Sequence, residues 1–424
     1  MEGSKQSIKK VPKLRSRDNG VIRSDPLRIL MLTWEYPPRI VGGISRVVEG
    51  LSKALHILGV EVHVVTNEMP GSPLEEDDAG VHVHRVKVDS PAPNFHAWIL
   101  LMNHYFAKRV GSLAKEVGRF DIVHAHDWLV QTSSSETKSF LRTPLISTLH
   151  SMEYRRSEGA TSPEISMVES LEWWMTYESS RVIVCSKSMK EDAKSKYKVP
   201  DDKMVVIPNG IDPDKYAEPH LRRDLTRLKH GVGPSEKLIL FVGRLTHQKG
   251  CNFLIRSIPY VAKFHNVRLL IVGDGYMRGE LESEAFKSGD AWRIRFTGFL
   301  PDQDVRDLMA SSDCMVVPSI YEPFGVVALE GMASKLPVVA SNVDGLSEII
   351  RHEENGILVY PKDPSSIAWG ISRIFSDADN SKRIVLNALN DVKSKYTWSA
   401  IAKVTLEAYE QTLRIQKPLL KTSS

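Results

Sequence analysis

Short apolar runs alternate with amphipathic stretches along most of the chain. In the first half, runs rich in Val, Ile and Leu predict strands at 27–32, 60–66, 81–86, 121–125, 145–149 and 181–185. Between them, the helical period of apolar residues predicts helices at 44–58, 103–117 and 163–179. Continuous apolar strands that alternate with helices are typical of βαβ units on a parallel sheet. The first half is therefore predicted to be a doubly wound α/β domain.

The same alternation resumes after an interruption. The segment IPNGID at 207–212 and a charged stretch that reaches residue 236 separate the two halves. Strands are then predicted at 238–242, 267–272, 294–297, 314–317, 337–340 and 356–360. Helices are predicted at 251–263, 276–287, 302–310, 324–334 and 365–376. Ligands of such sheets bind outside the carboxyl ends of the strands, so two facing domains of this kind are expected to enclose a cleft.

The net charge of +4 is unevenly distributed. The chain has 56 Lys and Arg against 52 Asp and Glu. Residues 1–24 hold seven basic and two acidic side chains, a local charge of +5, so the rest of the chain sums to −1. A nucleic-acid-binding domain usually carries a basic surface, and this distribution argues against such a partner. We expect residues 1–25 to be a disordered basic tail whose removal leaves the activity unchanged.

Composition argues against several other classes of protein. Hydrophobic residues make up 42% of the chain and charged residues 25%, which is ordinary for a globular protein. No apolar run approaches the ~18 residues of a membrane span, and the start of the chain lacks the apolar region of a secretory signal. Cys185, Cys251 and Cys314 fit neither a disulfide framework nor a zinc site. We expect core cysteines and a cytoplasmic location.

Two glycine-containing loops follow predicted strands. Gly42 and Gly43 directly precede the helix at 44–58, where they either let the backbone approach an anion or form a turn that requires a positive φ. Arg244 and Lys249 lie in GRLTHQKG at 243–250, and two cations at the end of a strand predict a phosphate clamp. A solvated loop is the alternative interpretation of the second segment.

A pair of glutamates and a group of histidines provide further candidate chemistry. Glu322 begins the segment EPFG, and Glu330 falls in the second turn of the helix that follows. Carboxylates accept pairs of hydrogen bonds from sugar hydroxyls, although helix capping is the alternative role. In HAHDW at 124–128, strand alternation places His124 and His126 on one face, with His126 nearer the cleft. Asp127 and, on the next strand, His150 are expected nearby, and core packing is again the alternative.

Other patterns are not expected to carry function. Asp212-Pro-Asp214 and Asp302-Gln-Asp304 match an Asp-x-Asp metal signature, but the first lies between the domains and the second starts a helix, where Asp is a normal cap. We therefore expect no metal site. The segment GDG at 273–275 lacks the continuation of a dinucleotide fingerprint, and the acidic segment 75–78 is predicted to be a solvated loop.

Taken in order, these motifs resemble one known family. They are similar to those of the retaining, nucleotide-sugar-dependent glycosyltransferases of the GT-B fold, in the group 1 or family 4 set with its glycogen-synthase relatives. The resemblance covers nearly all of residues 26–416. It implies an acceptor-side domain at 26–212, completed by a C-terminal helix at 397–416, and a donor-binding domain at 213–396.

The resemblance also implies roles for the candidate residues. As catalytic residues it implies His126, facing the transferring sugar, Glu322, contacting it, and Arg244 and Lys249, stabilising the diphosphate leaving group. Asp127 and His150 would lie on the sugar side. The remaining donor-binding residues would be Gly42 and Gly43 over the diphosphate, Phe299 and Leu300 near the base, Phe324, Gly325 and Val326 with backbone amides, and Glu330 at the ribose.

The expected reaction is metal-independent, retaining transfer of glucose from UDP- or ADP-glucose to an α-glucan. The partners are then a nucleotide-sugar donor and a carbohydrate acceptor, with no cofactor, no nucleic acid and no favoured association with a membrane. Three alternatives remain open at this point. They are a transferase with a lipid or small-molecule acceptor, which a basic amphipathic helix at 103–117 would suit, a sugar epimerase of the same fold, and a non-catalytic sensor of nucleotide sugars.

Overall fold

The computed structural model describes residues 26–216 and 223–421. The expected basic tail at 1–25 lies outside these residues. The first domain is built on eight strands: β1 Arg28–Leu32, β2 Glu61–Asn67, β3 Glu75–Asp78, β4 Val81–Val86, β5 Ile122–His126, β6 Leu145–Leu149, β7 Arg181–Val184 and β8 Met204–Val206. Their order in the sheet is β3-β4-β2-β1-β5-β6-β7-β8. All neighbours are parallel except β3 and β4.

The acidic segment that was predicted to be a loop is a strand. Glu75–Asp78 pairs with β4 in antiparallel register, with Glu75 opposite His84 and Asp78 opposite Val81. Its side chains are largely exposed, so the residues carry no apolar signal. The strand is held by backbone pairing with β4 and by ion pairs of Glu75 with His84 and Arg109, neither of which leaves an apolar pattern, and charged side chains protect its open edge from further pairing. The loop prediction was wrong for this reason.

Within residues 26–212, six α-helices surround the first sheet: α1 Gly43–Ile57, α2 Phe95–Val117, α3 Gln131–Leu141, α4 Glu153–Arg156, α5 Pro163–Glu178 and α6 Lys187–Tyr197. Helix α2 begins eight residues before its predicted start, because the Asn94 side chain accepts the Ala97 N–H and caps it there. Helix α3 was not predicted. Its buried face is formed by Gln131 and a run of serines instead of apolar residues, so it lacks the usual amphipathic pattern.

The second domain repeats the plan with six parallel strands: β9 Lys237–Val242, β10 Val267–Val272, β11 Ile294–Gly298, β12 Cys314–Val317, β13 Val338–Ser341 and β14 Ile357–Val359. Their order is β11-β10-β9-β12-β13-β14. The helices are α7 Arg223–Lys229, α8 Cys251–Ala262, α9 Arg278–Lys287, α10 Asp302–Ser311, α11 Val326–Ala333, α12 Asp344–Ile349, α13 Pro364–Ser376 and α14 Ala378–Lys395. The predicted fold class, two doubly wound α/β domains, is confirmed.

The last helix, α15 Trp398–Lys421, packs on the first domain. Its residues Ile401, Ala402, Ala408 and Tyr409 belong to the apolar core that β1, β2 and α1 form. The Trp398 indole fills the space beside two glycines, since a Cβ at Gly50 or Gly210 would lie 2.2 or 2.5 Å from its ring. The chain therefore returns to the first domain after it completes the second.

A continuous apolar cluster links the two domains. It extends from Leu149, Met152 and Met189 of the first domain to Leu240 and Leu346 of the second. All three cysteines are buried free thiols, as expected for core residues. Among the described residues, no helix is long and apolar enough to cross a membrane.

Candidate active site

The carboxyl ends of both sheets open into one cleft of 1470 Å³ between the domains. The predicted site residues that line it are Gly42, Gly43, Asp127, His150, Arg244, Lys249, Phe299, Leu300, Glu322, Phe324, Gly325, Val326 and Glu330. Of the predicted set, His126 alone does not reach its surface. The structure thus brings together side chains that are up to about 290 residues apart in sequence, as strand ends of facing sheets require.

The loop after β9 carries two cations, Arg244 and Lys249, which differ in their contacts. Arg244 is exposed, and its guanidinium has no hydrogen-bond or ion-pair partner within the described ranges. Lys249 ends a short 3₁₀ turn at His247–Lys249, and its Nζ lies 2.7 Å from Glu322 Oε2. One cation is therefore free to meet an anion, while the other is held against a carboxylate.

Gly250 fixes the position of this loop. Its φ of 62° is left-handed, and a Cβ there would lie 2.1 Å from the carbonyl oxygen of Pro318. Only glycine combines that conformation with so close an approach of two backbones. The loop that carries Lys249 is thereby pressed against the segment that precedes Glu322.

Several hydrogen bonds hold Glu322 in the loop that follows β12. Its carboxylate accepts a hydrogen bond from Ser319 Oγ at 3.0 Å in addition to the contact with Lys249, and its backbone N–H donates to Asp344 Oδ2 at 3.2 Å. The residue is only 7% exposed. These contacts hold the carboxylate in one place at the surface of the cleft.

Helix α11 opens toward the cleft without a side-chain cap. Gly325, at its N-cap, has φ 109°, and a Cβ there would lie 2.6 Å from Leu346 Cδ2. Within the described part of the chain, no side chain accepts a hydrogen bond from the first turn of α11, and Val326 and Val327 line the cleft. Uncapped amides at a helix start, together with the helix dipole, attract anions.

Glu330 is held by two residues that the sequence did not single out. Its Oε1 accepts a hydrogen bond from the Tyr216 hydroxyl at 3.0 Å and lies 3.5 Å from an Arg46 Nη1. Burial raises the pKa of Glu330, and Arg46 opposes that rise. Arg46 belongs to α1 of the first domain and also contacts Asp302 of the second. Because neither residue lies in a recognisable motif, only the tertiary structure reveals this contact.

The structure changes the interpretation of Gly42 and Gly43. Gly42 has φ −150°, an extended conformation open to any residue, and neither glycine has a positive φ. The expected alternative of a positive-φ turn is wrong. The Gly42 N–H is already donated to Glu35 Oε2 at 2.9 Å, whereas a Cβ at Gly43 would meet nothing within 4 Å. The amides open to a ligand therefore begin at Gly43.

The histidines form a buried stack. The rings of His124 and His126 are 4.1 Å apart, as expected for one face of a strand. His124 is a satisfied core group, since its nitrogens lie 2.7 Å from Tyr409 Oη and 2.7 Å from Thr148 Oγ1. His126 Nδ1 pairs with His150 Nε2 at 3.1 Å, and its own Nε2 has no partner among the described residues. His150 therefore lines the cleft, and His126 lies behind it.

Asp127 does not contact the histidines. Its Oδ1 accepts the Trp128 N–H at 2.9 Å, and its backbone has φ 68°. Burial raises the pKa of this carboxyl to about 6, and the nearby Arg156 opposes the rise. Of the two residues expected near His126, His150 is the one that forms a hydrogen bond with its ring.

Burial keeps the histidine stack neutral. It lowers the pKa of His150 to about 4 and that of His124 to about 3, in the latter case with help from the charge of His150. Desolvation of the imidazolium is the main cause in both. At neutral pH these rings are therefore hydrogen-bonding groups without charge.

The pH dependence of stability should report this neutral state. The folded-state pKa of His124, about 3, lies below the ordinary 6.5, so the unfolded chain binds more protons below pH 6.5. Stability from this residue is complete above pH 6.5 and is lost as the pH falls. Between pH 7 and pH 5 we expect wild type to lose about 2 kcal/mol more unfolding free energy than His124→Gln. Urea denaturation measures this difference.

His104, exposed on α2, provides the matched control. His104→Gln measures the effect of replacing a surface histidine by glutamine, and the effect of His124→Gln is compared with it. Equal pH dependence of wild type and His124→Gln would show that His124 is not held neutral by burial.

Aromatic side chains line the outer parts of the cleft. Phe299 is 79% exposed on the second domain. On the first domain, Trp34 and Phe95 line the cleft with their ring centroids 6.2 Å apart. Phe95 belongs to none of the motifs that the sequence analysis identified. Trp173, another exposed aromatic residue, lies outside the cleft, stacked on Tyr177.

The acidic pairs do not form a metal centre. Asp212, Asp214 and Asp302 line the cleft, but Asp212 Oδ1 accepts the Asp214 N–H at 3.2 Å and Asp302 contacts Arg46. Across 26–216 and 223–421, no group of three or more His, Cys, Asp and Glu side chains is arranged to hold a metal ion.

Two family comparisons cover the two domains separately. Residues 41–215 match Glycosyltransferase Family 4, and residues 222–391 match Glycosyl transferases group 1. The chain is 43% identical over 391 residues to an uncharacterised glycosyltransferase of Methanocaldococcus jannaschii, covering 91% of this chain and 98% of that protein. It is 33% identical over 400 residues to glycogen synthase of Mycobacterium tuberculosis, covering 90% and 94%.

A solved structure shows the same architecture. Sucrose-phosphate synthase from Thermosynechococcus elongatus superposes with a TM-score of 0.75 at 24% identity, covering 92% of this chain and all of that one. Two facing Rossmann-like domains with a ligand cleft between their strand ends define the GT-B class of glycosyltransferases. The chain belongs to the group 1 glycosyltransferases, the set also described as family 4.

Proposed function

We propose that this glycosyltransferase transfers glucose, with retention of configuration, from UDP- or ADP-glucose to an α-glucan. The observation that carries the proposal is the arrangement around Lys249. Arg244, which has no side-chain partner among the described residues, the Lys249–Glu322 pair and the uncapped start of α11 all line the cleft. The 33% identity to a glycogen synthase over nearly the whole chain supports glucose and a glucan.

Charge development explains why this arrangement suits the reaction. Breaking the anomeric C–O bond leaves negative charge on the nucleoside diphosphate and positive charge on the sugar. Arg244, Lys249 and the α11 amides would stabilise the leaving diphosphate, and fixed charges in a cleft need no reorganisation at that moment. Lys249 would bridge the diphosphate and Glu322, whose carboxylate would contact the sugar. The cations would fulfil a role that a metal ion has in other transferases, so we expect no metal requirement.

The remaining residues would position the donor and the sugar. Glu330 would accept the ribose hydroxyls, which would compete with its present contacts to Tyr216 and Arg46. Phe299 and Leu300 would lie near the base. The neutral His150, backed by His126, would hydrogen-bond the transferring sugar or the acceptor hydroxyl. Retention would result from departure and attack on the same face.

The lipid-acceptor alternative loses its structural basis at α2. Within the segment 103–117 that suggested this alternative, Phe106, Val110 and Leu113 are buried in the first domain. Arg109, one of its basic residues, is paired with Glu75 and Glu116. A helix that uses its apolar face for the core cannot offer that face to a lipid surface.

Donor screening followed by acceptor extension tests the proposed function. UDP-glucose or ADP-glucose should raise the melting temperature of the purified protein, and the stabilising donor should extend glycogen with labelled glucose. Donor consumption without an acceptor would favour an epimerase, and tight UDP binding without any turnover would favour a sensor. Incorporation into lipid vesicles but not into glycogen would overturn the glucan assignment.

Replacing an aromatic residue at the cleft mouth should weaken the binding of the acceptor and leave the binding of the donor unchanged. Phe95 is 50% exposed beside Trp34, where a sugar ring can stack on it. We expect Phe95→Ala to raise the KM for glycogen about threefold to tenfold, equivalent to about 0.5–1.5 kcal/mol, and to leave the KM for the donor unchanged. Initial rates at varied glycogen and varied donor measure both constants.

The control is Phe286, which is 80% exposed on α9 and lies outside the cleft. Phe286→Ala should leave both constants unchanged. A rise in the donor KM in Phe95→Ala, or an unchanged glycogen KM, would remove Phe95 from the acceptor site.

A further inference from the structure

Asp344 has a backbone conformation that is uncommon for residues with a Cβ. It begins α12 with φ 38°, in the left-handed region. Residues with a Cβ rarely adopt this region, whereas glycine does so without steric cost. A residue that remains in such a conformation points to a function for its side chain.

The Asp344 carboxylate joins the two domains. Its Oδ2 accepts the backbone N–H of Glu322 at 3.2 Å. Its Oδ1 accepts an Arg155 Nη2 at 2.5 Å and the Ser188 hydroxyl at 3.2 Å. Glu322 lies in the second domain, and Arg155 and Ser188 lie in the first. The side chain is only 7% exposed, so these contacts form a shielded connection.

On the second domain, the start of α12 and the Glu322 loop form one packed unit. The Gly345 N–H donates to the Glu322 carbonyl at 3.1 Å. A Cβ at Gly345 would lie 2.5 Å from Phe324 Cα, so the two backbones are in direct contact. A shift of Asp344 would therefore move Glu322 with it.

On the first domain, the connection leads back to His150. Helix α4 begins three residues after His150 and contains Arg155. The Arg155 guanidinium lies over the Tyr321 ring at 5.2 Å, and the Met152 N–H donates to the Tyr321 hydroxyl at 3.3 Å. One short segment therefore carries a cleft histidine at one end and contacts the residue next to Glu322 at the other.

A second carboxylate of α12, that of Glu348, also contacts the first domain. Glu348 accepts the N–H groups of Lys187 and Ser188 at 3.0 and 2.9 Å. These are the first residues of α6, so Glu348 neutralises the positive end of that helix. Both ends of α12 therefore contact the first domain, where their partners lie in α4 and at the start of α6.

We propose that Asp344 is a positioning residue that holds Glu322 in register with His150 across the two domains. It touches no reacting atom and acts through the Glu322 loop on one side and Arg155 on the other. This inference rests on the role proposed above for Glu322. It explains why an aspartate occupies a backbone conformation that glycine would adopt more easily.

Replacement by glycine separates positioning from folding. Asp344→Gly relieves the backbone and removes the carboxylate, so we expect turnover to fall about tenfold to a hundredfold. The Kd for UDP should stay within about twofold and the melting temperature should not fall, since the donor site and the backbone are kept. Asp344→Asn, which keeps an acceptor oxygen and tolerates the left-handed region, should recover part of the turnover.

Asp313 provides the matched control. It also accepts one backbone N–H, from Leu238, and contacts two arginines, Arg223 and Arg227. Asp313→Asn should lower the melting temperature and leave kcat unchanged. Wild-type turnover in Asp344→Gly, or parallel losses of stability and turnover there, would overturn the proposal.

A distance measurement tests the connection independently of any substrate. Spin labels at Glu136→Cys on α3 and Lys382→Cys on α14 report the separation of the domains, and the three native cysteines are buried. The distance distribution should broaden in Asp344→Gly and stay narrow in Asp313→Asn. An unchanged distribution in Asp344→Gly would overturn the proposal. A wild type that transfers no sugar but shows the broadening would instead contradict the proposed function alone.

Discussion

Replacing Lys249 with Met is expected to lower turnover about a hundredfold to a thousandfold. The ammonium is one of two cations that would meet the charge developing on the diphosphate, and loss of one such group in an enclosed site commonly has an effect of this size. The substitution also removes the cation 2.7 Å from Glu322, which leaves a buried carboxylate without its ion-pair partner. Initial rates with saturating donor and glycogen measure the loss.

Lys382 is the control for Lys249, because it also pairs with a carboxylate, Asp379, at 3.1 Å but is 75% exposed on α14. Lys382→Met should retain wild-type turnover. If Lys249→Met kept more than about a tenth of the activity with an unchanged melting temperature, the assignment of leaving-group stabilisation to this cation would be wrong.

Gly250→Ala is expected to affect both stability and turnover. A methyl group there would lie 2.1 Å from the Pro318 carbonyl oxygen, in a residue with φ 62°. The left-handed conformation alone costs an alanine about 1–2 kcal/mol, and relief of the contact requires movement of the backbone. Because the movement would displace Lys249, we expect turnover to fall about a hundredfold. Urea denaturation and initial rates measure the two effects.

Gly289 separates the two causes. Its φ is 77°, but a Cβ there would meet nothing within 4 Å, so Gly289→Ala carries the conformational cost without the contact. It should lose about 1–2 kcal/mol of unfolding free energy and no turnover. Equal losses of unfolding free energy in the two variants would mean that the loop at Gly250 can move away from Pro318 at little energetic cost.

The fold was predictable because buried parallel strands have a clear signal. The apolar runs at 81–86, 145–149, 267–272 and 314–317 coincide with β4, β6, β10 and β12. Elements that lack apolar residues were missed: α3 buries serines, and β3 is an acidic edge. A local sequence pattern indicates well which segments are buried and poorly which segments pair through their backbones. The apolar strands were therefore predicted, and α3 and β3 were not.

The candidate site was predictable where residues lie in motifs at strand ends. Arg244, Lys249, Glu322 and Glu330 converge on the cleft as expected. Contacts between distant segments were not predictable, and they include Arg46 with Glu330 and Asp344 with Arg155. The depth of His126 behind His150 likewise depends on how neighbouring strands pack. Residues that meet across distant segments can be identified only when the relative positions of the two domains are known.

The stereochemical course of the reaction tests the central claim most directly. Proton NMR can follow UDP- or ADP-glucose together with a short maltooligosaccharide in the presence of the purified protein. Retaining glucosyl transfer predicts that one nucleoside diphosphate appears for each new α-glucosidic anomeric signal. Formation of β-linked product, conversion of the donor to another nucleotide sugar, or an unchanged mixture with both donors would contradict the account.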